Sequence, residues 1–336
     1  MLLWSLLPLI ALCSSLACAL LIKRGGPRFL DQPVSRSAHV HATPRGGGAG
    51  VVIAFYLFLV ILGLLDQLSL IQLAVLACAL PVAVTGLIED LRPLPVRVRL
   101  PLHLAAAAVA LLLLGPVPEP FFSGWLALPL WLQSLLLMLA LVWLLNLYNF
   151  MDGIDTLAAG QALFVASIAG VMLWLQGDEI AWVCAGLAAA TLGFMVWNVP
   201  PAKLFLGDVG STFYGFVLGL IALLTHFDGT LSVWVWVLLM GGFIADTTCT
   251  LLLRALRGHS VTEAHSTHAY QHLARRIGSH TQVSLLMTII NVLWLLPLAW
   301  LAHRYADFGV ILAISGIVPL MIMAALVGAG KERDRE

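Results

Sequence analysis

Apolar runs of about 18 residues, separated by short polar loops, recur along the whole chain, and each is long enough to cross a hydrocarbon layer as a helix. They fall at 3–22, 47–65, 70–88, 101–115, 130–148, 157–175, 181–198, 209–226, 232–253, 282–302 and 308–329. A strand barrel would show short alternating segments instead. The first run could be a signal peptide, but no positive residue precedes it and no small-x-small site ends it. Lys23 and Arg24 follow it as they would a retained anchor. The pattern predicts an all-α polytopic integral membrane protein of about 10–11 transmembrane helices, a single domain over residues 1–336.

Composition agrees: 61% of the 336 residues are hydrophobic and 10% charged. A soluble domain carries about 25% charged residues. The formal net charge of zero hides an asymmetry. Sixteen of the seventeen Lys and Arg residues fall in the loops after the odd-numbered runs and at the C-terminus, and only Arg304 lies opposite. By the positive-inside rule the N-terminus faces outward and the C-terminus inward. Five cysteines lie inside apolar runs without metal-ligand spacing, which reads as packing thiols. The outer loops are short, "GPVPEPFFSG" being the longest, so chemistry is expected on the inner face.

Five inner loops carry the polar information. "DQPVSRSAHVHATPRGGGAG" combines Asp31, Arg36, His39 and Arg45 with glycines leading into a helix, where backbone N–H groups can meet an anion. It also reads as a juxtamembrane loop obeying the charge rule. "GLIEDLRPLPVRVRL" sets Glu89 and Asp90 side by side at a helix end, followed by Arg92, Arg97 and Arg99. Adjacent carboxylates at an interface call for a cation, a proton or an arginine.

"NLYNFMDGID" spaces Asn146, Asn149, Asp152 and Asp155 three apart. That spacing drifts about 60° per step on a helix, so the four cannot share one face. Gly153 offers a place to end the helix and fold back. Asn149, Asp152 and Asp155 could then converge on a hydrated site of the kind that suits Mg²⁺, although capping would explain one of the acids. In "NVPPAKLFLGDVGSTFYG", Asp208 precedes an apolar helix, where an N-cap is also expected, with Asn198 and Lys203 nearby. "RALRGHSVTEAHSTHAYQHLARRIGSH" holds five histidines and four arginines. His268 and His272 would share a helical face, yet no paired cysteine or second regular His pair supports zinc. Donation to a diphosphate is the preferred reading. Asp246 is an ionisable group within a span.

Together these motifs resemble the polyprenyl-phosphate N-acetylhexosamine-1-phosphate transferase superfamily, which includes the phospho-N-acetylmuramoyl-pentapeptide translocases. The matching pieces are "DQPVSRSAHVHATPRGGG", "GLIED", "NLYNFMDGID", "PAKLFLGDVGS", "FIADT" and "AHSTHAYQHL", in the family's order from residue 31 to about 272. The resemblance implies transfer of a sugar-1-phosphate from a UDP-N-acetylhexosamine to undecaprenyl phosphate with release of UMP. It further implies Mg²⁺, with Mn²⁺ as a substitute, and a bacterial inner membrane with the active site on the cytoplasmic face. "AHSTHAYQ" is similar to the branch that begins O-antigen or related surface polysaccharides, often with dideoxy sugars. Carried over residue by residue, Asp208 is the principal metal ligand, with Asp152 beside it. Asp90 and Glu89 lie near the lipid phosphate as catalytic candidates. Arg36, His39, Arg45, Asn149, Asp152, Asp155, Asn198, Lys203, Asp246, His265 and His268 shape the substrate sites.

This chain departs from the family pattern at three places: Glu89 stands where aspartate is usual, Thr156 follows Asp155 in place of glycine, and Ser266 stands where arginine is expected. No nucleic-acid partner is expected, and a homodimer is compatible with the sequence. A transporter of an anionic substrate and a lipid-phosphate phosphatase are the alternatives. The first would place its polar groups near the midplane, commonly with internal repeats, and the second needs only one phosphorylated substrate.

Overall fold

The computed structural model describes residues 2–24, 26, 29–31, 42–118, 128–260 and 265–332. Each expected apolar run falls on one helix or on a consecutive pair of helices. In chain order these are α1 (Leu2–Arg24), α2 (Gly48–Leu64), α3 (Leu70–Ala77), α4 (Ala79–Leu91), α5 (Val96–Leu114), α6 (Leu130–Phe150), α7 (Leu157–Trp174) and α8 (Ile180–Asn198). There follow α9 (Asp208–Phe227), α10 (Val233–Leu239), α11 (Gly241–Leu256), α12 (Ala269–Ile277), α13 (His280–Ile290), α14 (Leu296–Arg304) and α15 (Gly309–Val327). A π-helical turn, Asn291–Leu295, joins α13 to α14. Among the described residues, nine helices are long and apolar enough to span a membrane, α3 with α4 and α13 with α14 each counting as one. The bent pair α10–α11 makes a tenth, and α2, at 17 residues, is a shorter apolar helix.

The run at 232–253, expected as one helix, is broken, with α10 and α11 meeting at 76°. The break sits at Met240, and α11 opens on Gly241 and Gly242, where a Cβ on Gly242 would lie 2.7 Å from the Met287 sulfur. A backbone break inside hydrocarbon needs partners for its freed carbonyls. Gln161 supplies one, its Nε2 donating to the Leu239 carbonyl at 2.9 Å, and is itself held by Asn291 at 2.5 Å.

α9 is the axis of the molecule, with 94% of its apolar window buried. α4 and α6 pack along it, and α2 approaches its start, where a Cβ on Gly48 would fall 2.2 Å from the Gly210 Cα. Without a hydrophobic drive between helices in lipid, such close backbone approach is what packing uses. The polar loops at the start of α9 are tied to one another. Gly47 and Gly48 donate to the carbonyls of Phe205 and Leu206, and Phe205 donates to that of Pro44. A two-residue antiparallel ladder, β1 (Leu30–Asp31) with β2 (Thr43–Pro44), closes the first polar loop beside them.

Candidate active site

The ends of α4, α6 and α9 meet at one point. The Asn149 amide, in the last turn of α6, donates to Asp208 Oδ1 at 2.7 Å and lies 3.2 Å from Ser211 Oγ. Asp90, near the end of α4, accepts from the backbone N–H groups of Asp208 and Val209, both at 3.0 Å. It is 1% exposed. Asp90 therefore caps α9 from another helix, where the free N–H groups and helix dipole favour a negative charge. The neighbouring glycines make the approach possible. A Cβ on Gly207, whose φ is +76°, would lie 2.5 Å from Asp90 Oδ2, and one on Gly86 2.5 Å from the Asp208 carbonyl. Arg45 closes this corner, its Nε donating to the Asp90 carbonyl at 3.0 Å and lying 3.9 Å from Oδ1. Glu89 is taken by Arg99.

Asp152 lies in the turn after α6. Burial and then the charges of Asp208, Asp90 and Asp155 push its carboxyl well above the usual range. Four acids so arranged repel, and a cation would relieve them. Mg²⁺ usually keeps several waters and takes one or two carboxylates with substrate phosphates. The pair Asp208 and Asp152, with the Asn149 amide orienting the first, fits such a partial shell. Among the described residues no group of three or more His, Cys, Asp or Glu side chains could hold a metal, so a protein-only cage is not what this site offers.

Asp155 takes a different place from the expected convergence. Its Oδ2 accepts from the Ala202 N–H at 3.2 Å and lies 3.5 Å from His280 Nδ1. The chain reversal into α7 is made by Thr156, at φ +64°, rather than by Gly153. Asn198 pins it: its Oδ1 accepts from the Thr156 N–H at 2.9 Å while its Nδ2 donates to the Leu204 carbonyl at 3.0 Å. With both ends of its amide engaged, Asn198 is a bracket between two site loops. Asn146 turns back into its own helix, donating to the Val142 carbonyl. Lys203 is exposed. Arg36 and His39 lie outside the described residues.

A second helix is capped in the same way. Asp246 accepts from the N–H groups of Ala269 and Tyr270, each at 2.9 Å, which fixes the start of α12. His268 Nδ1 lies 3.4 Å from Asp246 Oδ1. His265 stacks on His268 with ring centroids 5.0 Å apart, and Phe150 stacks on His268 at 5.9 Å. Tyr270 donates to the Phe150 carbonyl at 2.9 Å, and a Cβ on Gly153 would fall 2.2 Å from its hydroxyl. The histidine loop is thus packed onto the turn that carries Asp152. Burial, followed by the charges of His268 and Arg254, lowers His265 to about 4. That shift favours the neutral ring, whose N–H can still donate to a diphosphate oxygen. Arg254, expected among the phosphate donors, is 3% exposed and holds the Ser260 carbonyl at 2.9 Å.

Sequence reasoning missed Ser211 and Tyr270. Ser211 stands three residues after Asp208, one turn along the same helical face, which was a usable signal. Tyr270 had none.

A polytopic helical membrane protein with clustered carboxylates at its helix ends is the class that this fold and site define. The family model described as glycosyl transferase family 4 matches residues 72–226. The chain is 26% identical over 316 residues to a Bacillus subtilis (strain 168) protein described as a probable undecaprenyl-phosphate N-acetylglucosaminyl 1-phosphate transferase, covering 90% of this chain and 86% of that one. It is 35% identical over 123 residues to the phospho-N-acetylmuramoyl-pentapeptide-transferase of Geobacillus kaustophilus (strain HTA426), covering 36% of each. The Chlamydia pneumoniae protein of that description is 32% identical over 170 residues, with 46% of this chain and 47% of that one covered. The matches to these translocases thus span less than half of their length. Over these spans the chain is similar to glycosyl transferase family 4 and to transferases of the polyprenyl-phosphate sugar-1-phosphate kind.

Proposed function

We propose that the protein transfers an N-acetylhexosamine-1-phosphate, dideoxy or not, from a UDP-sugar to undecaprenyl phosphate. The products are UMP and undecaprenyl-diphosphate-sugar. The observation that carries this reading is the grip on Asp208: oriented by Asn149, set on a helix start that Asp90 caps, and within electrostatic reach of Asp152. The likeness to the Bacillus subtilis relative over 90% of the chain supports the same reaction class.

An oxygen of the lipid phosphate attacks the sugar-bearing phosphorus of the donor. The bond from that phosphorus to the bridging oxygen breaks, and UMP leaves with the electron pair. Both reactants are anionic, so charge neutralisation and alignment are the main tasks. Asp208 and Asp152 would hold Mg²⁺, or Mn²⁺ in its place, which when bound supplies charge compensation to the donor diphosphate. Arg45 sits beside the acid cluster as a cation for a phosphate, with Arg36 and His39 as further candidates. His265 and His268 stand where donor groups could meet, within a stacked set of rings. Asp90 has both carboxylate oxygens engaged by backbone N–H groups. Its role is to set Asp208 rather than to take a proton, and the acceptor phosphate is already largely ionised near neutral pH.

We place the site at the cytoplasmic face of a bacterial inner membrane, N-terminus outward, from the bias of Lys and Arg among the loops. Initiation of O-antigen or a related glycan is the pathway role that the "AHSTHAYQ" loop favours. The test is UMP release by purified protein with undecaprenyl phosphate, Mg²⁺ and a panel of UDP-N-acetylhexosamines. Lipid-dependent UMP from one donor is expected. UMP formed equally well without lipid would make the protein a hydrolase.

A further inference from the structure

Residues 328–332, directly after α15, fold back onto the molecule. Gly328, at φ +116°, turns it, and Ala329, fully buried, donates to the Ala324 carbonyl at 3.0 Å. Gly330, at φ +71°, then donates its N–H to the Thr267 carbonyl at 2.8 Å. A Cβ at Gly330 would lie 3.0 Å from Leu253 Cβ and 3.1 Å from the Thr250 carbonyl, so the strap lies flat on α11 only because glycine stands there. Arg257 holds the Ala329 carbonyl at 3.3 Å. Glu332 Oε1 ends the strap 3.4 Å from His259 Nδ1 and 3.8 Å from Arg254 Nη1.

Apart from the turn bond to Ala324, these contacts end on α11 and on the histidine loop. Thr267, whose carbonyl the strap takes, meets His265 Nδ1 through its hydroxyl at 3.0 Å. Arg254 Nη1 lies 3.4 Å from that same hydroxyl. Thr267 directly precedes His268, whose ring packs between those of Phe150 and Tyr270.

We propose that residues 328–332 are a positioning strap for the histidine loop, with Gly330 and Glu332 acting through Thr267 and Arg254 to set His265 and His268 for the donor sugar-diphosphate. The role at the donor rests on the transferase reading above. The strap itself does not, because its effect on the loop can be read without substrate. Exposed ion pairs are weak, so Glu332 tunes the loop rather than building it. The Gly330 contact is the stronger tie.

The test uses the full chain in detergent, carrying Glu332→Gln or Gly330→Ala. Backbone hydrogen exchange is read at 265–268 and, as reference, at 149–156. KM is read for each substrate. Glu332→Gln should quicken exchange at 265–268 alone and raise the KM for the UDP-sugar about two- to fivefold, the scale of an exposed ion pair. The KM for undecaprenyl phosphate should not move, and Glu332→Asp should restore part of the effect. Gly330→Ala should do the same more strongly. Faster exchange in the variant, with no UMP from the unaltered protein on any donor, would keep the strap and discard the transferase. Unchanged exchange at 265–268 in Glu332→Gln, or a rise spread equally over both segments, would overturn the strap.

Discussion

Replacing Asp90 by asparagine should cost stability before it costs chemistry. Two N–H groups at the start of α9 donate to its two carboxylate oxygens at 3.0 Å, and the side chain is 1% exposed. Asparagine keeps one oxygen and turns an NH₂ group toward the second N–H, donor against donor. One charge-assisted bond is lost and one buried donor left without a partner, each worth about 1.5–3 and 1–3 kcal/mol respectively. Their sum is reduced by relaxation and by relief of repulsion among the acids, leaving a destabilisation of about 3 kcal/mol. Asp208→Asn keeps an oxygen for the Asn149 amide and removes a charge next to Asp152, so its stability should change by no more than about 1 kcal/mol. Thermal unfolding of the two variants in one detergent, alongside UMP release, separates the roles. Both should lose turnover, but only Asp90→Asn should unfold several degrees earlier. An Asp90→Asn protein as stable as the parent yet inactive would refute the capping argument and make Asp90 a group that meets the substrate.

Other variants follow from the same contacts. Asn149→Ala frees the Asp208 carboxylate and removes a bond to a charged group worth about 1.5–3 kcal/mol, so the Mg²⁺ concentration for half-maximal activity should rise at least tenfold. Asp246→Asn uncaps α12, and should raise the KM for the UDP-sugar while lowering the melting temperature. Asp152 is held above its ordinary range, so the folded protein binds a proton there that the unfolded chain releases. Its contribution to stability is full below the ordinary carboxylate pKa and is lost as pH rises toward the raised one. A cation must displace that proton. Metal-free stability should therefore fall, and Mg²⁺ affinity rise, as pH increases over that window, and both slopes should flatten in Asp152→Asn, measured by thermal unfolding with and without Mg²⁺.

The helices were legible because an apolar run of fixed length has one structural use in a membrane. The break at Met240 was not, since it depends on Gln161, 78 positions from Leu239, reaching that residue's freed carbonyl. Spacing alone separated Asn146 from Asn149 and left three groups to converge, but only Asn149 bonds Asp208, while Asp152 feels its charge. The third, Asp155, is drawn aside by the Ala202 N–H and His280, partners remote in sequence. Asp90 and Asp246 were both visible as ionisable groups at or within a span. That each caps the start of another helix could not be read, because a cap supplied across the fold leaves no local pattern, unlike the Ser69 box that opens α3.

The most direct test of the central claim is UMP release by purified protein supplied with undecaprenyl phosphate, Mg²⁺ and the donor it prefers, beside Asp208→Asn and an EDTA-treated sample. UMP that requires the lipid and disappears in both controls is the predicted result. Undiminished UMP from Asp208→Asn would contradict the account, since the site described here would then not be where the phosphate is transferred.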